Sequence, residues 1–300
     1  MGAFGIVGRL GRPEAAYPRG VALTLLTALA WSFTGLIFRH IEDATGWQIL
    51  FFRALLLSSA LAVAFLARHR QQTLRAVVGI GLPGLVAAVC LGLGSIFYIF
   101  AIQNTTIANV AFLTSSVPFL AAILGWLILR ERVGRTTWAC IGFAMAGVMV
   151  MVVEGFAFGG WFGNLMALGG ALVSAGYAIA LRYGRAADLS PCVMVSGVVT
   201  MAVAAPFAGT LDISWHDLAL CAIQGVVISA LCNVIFTYCA RWVPAAELTL
   251  LSLLESVLSP FWVWLFIHES PTLWTLVGGA IVLAAVAGQA VAALKPAPGS

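Results

Sequence analysis

Two charged side chains sit where charge is expensive. Arg53 lies in "WQILFFRALLL" (47–57) and Glu255 in "LLSLLESVLSPF" (250–261), each inside a long apolar run. Holding one such group in the middle of a membrane helix costs about 2.5–3.5 kcal/mol on insertion scales, so it has to serve a purpose. A buried carboxyl can titrate a proton or hold a substrate ammonium, and a guanidinium can grip a carboxylate through two parallel bonds. Each has a structural alternative. The carboxyl can hydrogen-bond to a neighbouring helix, and the arginine can bond carbonyls at a helix break or reach for the interface.

A second set is polar or aromatic without being charged. It comprises Trp31, Ser32 and Thr34; Tyr98 with Gln103 and Asn104; Asn109, Thr114 and Ser115; Ser174 and Tyr177; Asn233 and Tyr238; and Trp262 with Trp264. Rings with sparse hydrogen-bonding groups suit a moderately apolar organic solute such as an aromatic amino acid. Ordinary helix packing is the competing explanation. Trp47, Trp126, Trp161, Trp215, Trp242 and Trp274 fall at the ends of apolar runs and read as an interfacial belt. Pro83-Gly84, Pro118 and Pro260 interrupt apolar runs, and a proline inside a helix bends it. Pro118 and Pro260 are candidate gating hinges. Small-residue spacings such as Gly170-x-x-x-Ser174 and Ala284-x-x-x-Gly288 permit close helix approach.

Other chemistry is missing. No G-x-S-x-G, H-E-x-x-H or G-x-x-x-x-G-K motif occurs. The six cysteines form no C-x-x-C pair and read as packing residues, and the four histidines lie at loops and helix ends. No metal or cofactor is expected.

The elements that carry these residues follow from composition. The chain has 62% hydrophobic and 9% charged residues over 300 positions, with mean hydropathy +1.05. A water-soluble fold could not cover its surface with so few polar groups. Apolar runs of about 20 residues span a bilayer as helices, which satisfy their own backbone. The pattern predicts ten helices near 20–38, 47–67, 76–101, 105–129, 136–153, 161–181, 192–208, 217–240, 244–267 and 272–294. Residues 1–19 form an N-terminal segment, and the tail "KPAPGS" (295–300) reads as disordered.

Placing the N-terminus in the cytoplasm puts thirteen of the 15 basic residues on that side, leaving Arg39 opposite and Arg53 within a helix. That bias orients the protein with both termini cytoplasmic. It also makes the basic residues topological anchors, so the net charge of +4 does not point to nucleic acid.

On this topology Glu255 lies roughly 20 Å below the outer end and Arg53 roughly 9 Å deep. The two differ in depth by about 10 Å, so no direct ion pair is expected.

The phrase "WLILRE" (126–131) returns as "WLFIHE" (264–269), 138 positions later. The first is followed by arginines and the second by Ser270 and Pro271. "GVALTLLTALAWSFTGLIFR" (20–39) likewise aligns with "GNLMALGGALVSAGYAIALR" (163–182), placing Ser174 opposite Trp31 and Tyr177 opposite Thr34. Five helices is an odd number, so a duplicated unit re-enters the membrane upside down and its ends exchange sides. Residues 20–153 and 161–294 are therefore read as an inverted repeat, an architecture of many secondary transporters.

The stretches "SVPFLAAILGWLILRERVGRTTWACIGFAMAGV" (116–148) and "LLESVLSPFWVWLFIHESPTLWTLVGGAIVLAAV" (253–286) resemble the EamA family of the drug/metabolite transporter superfamily. Each repeats that family's proline-containing helix, its G-W-L-x-L-x-E-like phrase and its Gly/Ala-rich last helix. Arg53 matches an arginine common in the family's second helix. Ser256 stands where the family often has proline, and the seventh helix lacks an arginine matching Arg53.

The resemblance implies an all-α inner-membrane fold of ten helices and a secondary-active exporter of small organic metabolites by alternating access. It is most similar to the amino-acid and drug exporter branch, which implies amino acids, or cationic drugs, as substrates. Proton coupling is open, as is the choice between monomer and dimer. The alternatives are a sugar-phosphate or nucleotide-sugar exchanger of the same fold, an intramembrane enzyme, or a channel.

Overall fold

In the computed structural model, residues 16–69, 73–153, 160–209, 211–268 and 272–294 are described. The N-terminal residues 1–15, the 154–159 link between the two expected repeats, Glu269 and the 295–300 tail lie outside them.

The described chain is helical. Helix α1 consists of Ala16–Trp31 and Thr34–Arg39, α2 is Gly46–His69, α3 is Gly81–Asn104, and α4 runs through Ile107–Thr114, Val117–Leu124 and Gly125–Leu129. Helix α5 is Arg135–Val152, α6 is Trp161–Tyr183, and α7 is Pro191–Ala204 with Ala205–Phe207. Helix α8 comprises Trp215–Ala222, Ile223–Leu231 and Cys232–Cys239, α9 comprises Ala245–Ser252 and Leu254–Ile267, and α10 is Leu273–Leu294. Among the described residues nine helices are long and apolar enough to cross a membrane. The expected seventh crossing is a shorter apolar helix, Pro191–Phe207, packed against α2 and α3.

Helix α6 lies along α3, and α10 lies along α5. The second pair meets backbone to backbone, because a Cβ on Gly278 would stand 2.3 Å from Gly147 O and one on Gly147 would stand 2.8 Å from Gly278 O. Only glycine at both positions permits that approach.

Several helices are broken, and the causes are local. At the α1 break the Ser32 hydroxyl donates to Leu29 O at 2.6 Å. At the α4 break Ser115 donates to Phe112 O and Ser116 to Leu113 O, both at 2.6 Å. A serine hydroxyl that captures the carbonyl three residues back competes with the helical ladder and bends the chain. In α9 the break falls at Leu253, whose N–H turns to Leu250 O at 3.1 Å.

The proline expectations therefore need correcting. Pro83 does not interrupt a helix, because the chain turns at Gly81 (φ +59°) and Pro83 sits in the first turn of α3, where no N–H is needed. Pro118 likewise opens the second piece of α4. Pro260 lies inside a continuous helix, and the discontinuity of α9 is seven residues earlier.

Helices α4 and α9 share a skeleton. Their first pieces are eight residues each, preceded by Thr106 and Pro244; they break at Ser115 and Leu253 and end at Arg130 and His268. Those two residues are the non-glycine positions with positive φ among the described residues, at 55° and 62°. Every landmark is displaced by the 138 positions that separate the two echoed phrases. Helices α1 and α6 differ, since α6 is continuous where α1 is broken.

Candidate binding site between the helices

Tyr98 of α3 is partly exposed, with 43% of its surface accessible. Arg53 of α2 and Glu255 of α9 are also surrounded by other helices and only half-buried. Tyr98 lies within electrostatic reach of both. No ion pair joins Arg53 to an acid among the described residues. Glu255 sits in the first turn of the second piece of α9, where a helix dipole favours a carboxylate.

The backbone of α8 sets the position of Arg53. Ile223–Leu231 is a π-helix of nine residues, a rare form frequently found at functional sites. Its wide turn brings residues five apart together, so the Ser229 hydroxyl donates to Gln224 Oε1 at 2.8 Å. At Gly225 the π segment meets α2 directly, and a Cβ there would lie 2.6 Å from Arg53 O.

A seam of polar and aromatic contacts joins α1, α6, α8 and α9. Tyr177 OH and Thr237 Oγ1 are 3.1 Å apart, Thr237 donates to Asn233 O at 2.7 Å, and Asn233 Nδ2 donates to Ser229 O at 2.8 Å. Gln224 Nε2 then donates to Thr34 Oγ1 at 3.3 Å. The Tyr177 ring stacks on Phe236, and Trp31 leans on the same ring with centroids 5.3 Å apart. At the α1 break, Trp262 Nε1 donates to Ser32 Oγ at 2.8 Å while its ring stacks on Phe33 at 4.5 Å. Helices α6, α8, α1 and α9 are thus tied through one network.

The residues singled out in the sequence divide accordingly. Arg53 and Glu255 both lie within electrostatic reach of Tyr98, whereas Trp31, Ser32, Thr34, Tyr177 and Asn233 belong to the seam. Ser174 faces Gly94 of α3, whose added Cβ would stand 3.6 Å from its hydroxyl. Asn109 is 1% exposed, with Nδ2 donating to Thr105 Oγ1 and to Asn164 Oδ1, both at 3.1 Å, so it staples α4 to α6. Thr114 bonds back to Val110 O, and Ser115 shapes the α4 break.

Sequence reasoning passed over several polar groups. Gln224 is a lone amide in an apolar run. Asp217, fully buried, accepts from the backbone N–H groups of Glu42, Asp43 and Ala44 and fastens that loop to α8. Its one sequence signal was the Ser214-x-x-Asp217 capping pattern. At the far end of the bundle Arg182 pairs with Glu131 at 2.7 Å and donates to Ala240 O and Arg241 O. Tyr17 donates to Glu247 there.

Comparison with known proteins gives consistent results. The family model described as the EamA-like transporter family matches residues 18–153 and 161–289. Uncharacterized transporter YwfM of Bacillus subtilis is 28% identical over 265 residues, covering 83% of this chain and 87% of its own. Pseudopaline exporter CntI of Pseudomonas aeruginosa is 23% identical over 277 residues, covering 89% and 94%. Solute carrier family 35 member G1 of Homo sapiens is 22% identical over 289 residues, covering 91% and 79%. A crystal structure of a protein 17% identical in sequence superposes with a TM-score of 0.77 over 92% of this chain and 99% of the other, a likeness of fold alone.

Proposed function

The chain belongs to the EamA-like transporter family, and from that premise we propose that it exports small amphoteric metabolites, of which amino acids are the nearest class. The observation that carries this reading is the pairing around Tyr98. Arg53 is the one base and Glu255 the one acid in the middle of a span among the described residues, and both lie within electrostatic reach of Tyr98. A zwitterion fits such a site. Its carboxylate goes to Arg53 in a bidentate pair and its ammonium to Glu255, while Tyr98 offers a ring face and a hydroxyl.

Transport proceeds by alternating access between two inverted five-helix halves, residues 20–153 and 161–294. The ten helices cross the bacterial inner membrane with both termini in the cytoplasm. The shared skeleton of α4 and α9 supports the repeat, and the skewed loop arginines support the orientation. The helix breaks beside the cavity, with Pro118 and Pro260, let it open to one side at a time. The name of the Pseudomonas relative supports export.

A sugar-phosphate exchanger would need several cations to meet a phosphate, and among the described residues Arg53 is the one base in the middle of a span. The relatives reported above are transporters, which places enzymatic chemistry further off.

Counterflow of labelled phenylalanine in proteoliposomes tests the reading. The unmodified protein should show trans-stimulation, Glu255→Gln should weaken competition by simple amines, and Arg53→Gln should weaken competition by simple carboxylates. Unchanged competition in both variants would remove the charged-site reading.

A further inference from the structure

Helices α1 and α9 run side by side and are cross-tied twice. Tyr17 donates to the Glu247 carboxylate near one end, and Trp262 donates to Ser32 near the other, each pair separated by 230 positions. The tie at Glu247 differs from the second because one of its members can take up a proton. Gln289 of α10 also hydrogen-bonds the Glu247 side chain, while its own Oε1 is buried with no partner among the described residues. A carboxylate accepts from an amide N–H and can give nothing back. A carboxylic acid can both accept from that N–H and donate to the amide oxygen.

We propose that Glu247 is a proton-binding site whose occupancy moves its carboxyl from Tyr17 on α1 to Gln289 on α10, releasing the tie between α1 and α9. The inference goes beyond the substrate assignment and rests on the topology proposed above only to place this end of the bundle in the cytoplasm. With the carboxyl ionised, Tyr17 makes a charge-assisted bond, the stronger kind, and the helices stay joined. When the proton binds, that bond becomes an ordinary neutral one, and the orphan oxygen of Gln289 gains a donor.

The surroundings give the proton a route and a local field. Glu247 lines a cleft at this end together with Glu131, Arg132, Val133 and Arg182. Glu131, beyond α4, and Arg182 of α6 lie within electrostatic reach of Glu247. These two are already paired with each other. From α1 the group facing Glu247 is Tyr17, and from α10 it is Gln289. Helix α5 carries Arg135 and Cys140, neither bonded to Glu247 among the described residues.

The echo in the first half sharpens the assignment. The position 138 residues before Glu247 is Asn109, which staples α4 to α6 through Asn164 and Thr105. Equivalent places therefore hold helices together, one through an ionisable acid and the other through an amide that cannot titrate. Protons act on one tie and not on its counterpart.

Hydrogen–deuterium exchange on the full-length protein in lipid nanodiscs tests this without any substrate. Exchange in 245–252 and 16–31 is read at about pH 5 and about pH 8, flanking the range where protein carboxyls titrate, and corrected for intrinsic rates. Release of a charge-assisted tie predicts about tenfold faster exchange at the lower pH. Glu247→Gln should exchange equally at both pH values, and Glu255→Gln should keep the full pH response. Tyr17→Phe should raise exchange at the higher pH to the low-pH level. If Glu247→Gln does not yield a monodisperse protein, Tyr17→Phe alone decides. A full pH response in Glu247→Gln, its loss in Glu255→Gln, or unchanged exchange in Tyr17→Phe would each overturn the proposal. None of these readings depends on whether the central cavity takes a zwitterion, which the competition experiment settles separately.

Discussion

Replacing Gly225 with alanine separates positioning from mere packing. The added Cβ would lie 2.6 Å from Arg53 O, where ordinary contact begins at 3.4 Å, so α2 and α8 must part by 0.8 Å (3.4 less 2.6) at the guanidinium-bearing residue. Gly278→Ala delivers a larger insult elsewhere, since its Cβ would lie 2.3 Å from Gly147 O and α5 and α10 must part by 1.1 Å (3.4 less 2.3). Overpacking of this kind costs about 1–3 kcal/mol of stability at either site. Only the first should disturb substrate. Losing one of two parallel charge-assisted bonds is worth about 1.5 kcal/mol or more, which raises the half-saturating concentration about tenfold. The assay is uptake of labelled phenylalanine into proteoliposomes as a function of concentration, alongside thermal unfolding of the same preparations. The expected pattern is a lower unfolding midpoint for both variants and a raised half-saturation for Gly225→Ala alone. If Gly278→Ala raises half-saturation as much, the effect is general loosening. The claim that α8 positions Arg53 then fails.

Three further outcomes follow from named contacts. Trp262→Phe keeps a ring against Phe33 but loses the donor to Ser32, so stability should fall by about 1 kcal/mol, read as a lower unfolding midpoint; no change would mean that the bond contributes nothing net. Arg182→Gln leaves the partly buried Glu131 with the more distant Arg185, at 3.9 Å, as its ion-pair partner and two carbonyls at the end of α8 without their donor. Because Glu131 remains 28% exposed, the loss should be about 2 kcal/mol rather than the larger value of a fully buried pair, and a loss below half of that would contradict it. Asp217→Ala removes the acceptor for the backbone N–H groups of 42–44, so exchange at Asp43 and Ala44 should rise about tenfold or more, and preserved protection there would refute the anchoring role.

What the sequence disclosed and what it concealed divide along physical lines. Arg53 and Glu255 were visible because a charge in an apolar run violates the cost of burial, whatever surrounds it. The proposed repeat rests on echoed phrases that keep one spacing, and that same spacing locates the start, break and end of α4 and α9. The α9 break was misplaced at Pro260 because proline is the loud signal. The turn at Leu253 arises from an i−3 bond that a leucine side chain does not announce. Asn109 looked like a cavity residue because an amide's type does not reveal its partner, and Asn164 lies 55 positions away. The Tyr17–Glu247 tie spans 230 positions and joins two helix ends that each look ordinary. Polar residues whose roles depend on long-range partners could be found in the sequence but not paired there.

In the proposed inverted repeat, the shared skeleton of α4 and α9 explains how one duplicated unit would serve an asymmetric ligand. A strictly repeated pair would present the cavity with the same chemistry twice, which suits a symmetric solute and gives no reason for transport to have a direction. Here the frame is repeated and the charges are not. The position equivalent to Glu255 is Val117, and the position equivalent to Glu247 is Asn109, so both carboxyls come from the second copy. The cationic group comes from the first copy, through Arg53 on α2. In the proposed site each half therefore contributes one sign of charge near Tyr98, and the proposed zwitterion would bridge the two halves and not one half alone. A bridging ligand can bias their relative movement, because a ligand shifts an equilibrium only to the extent that it interacts differently with the two states. The repeated backbone supplies the two related arrangements, and the unequal side chains give the ligand and the proton something to distinguish between them.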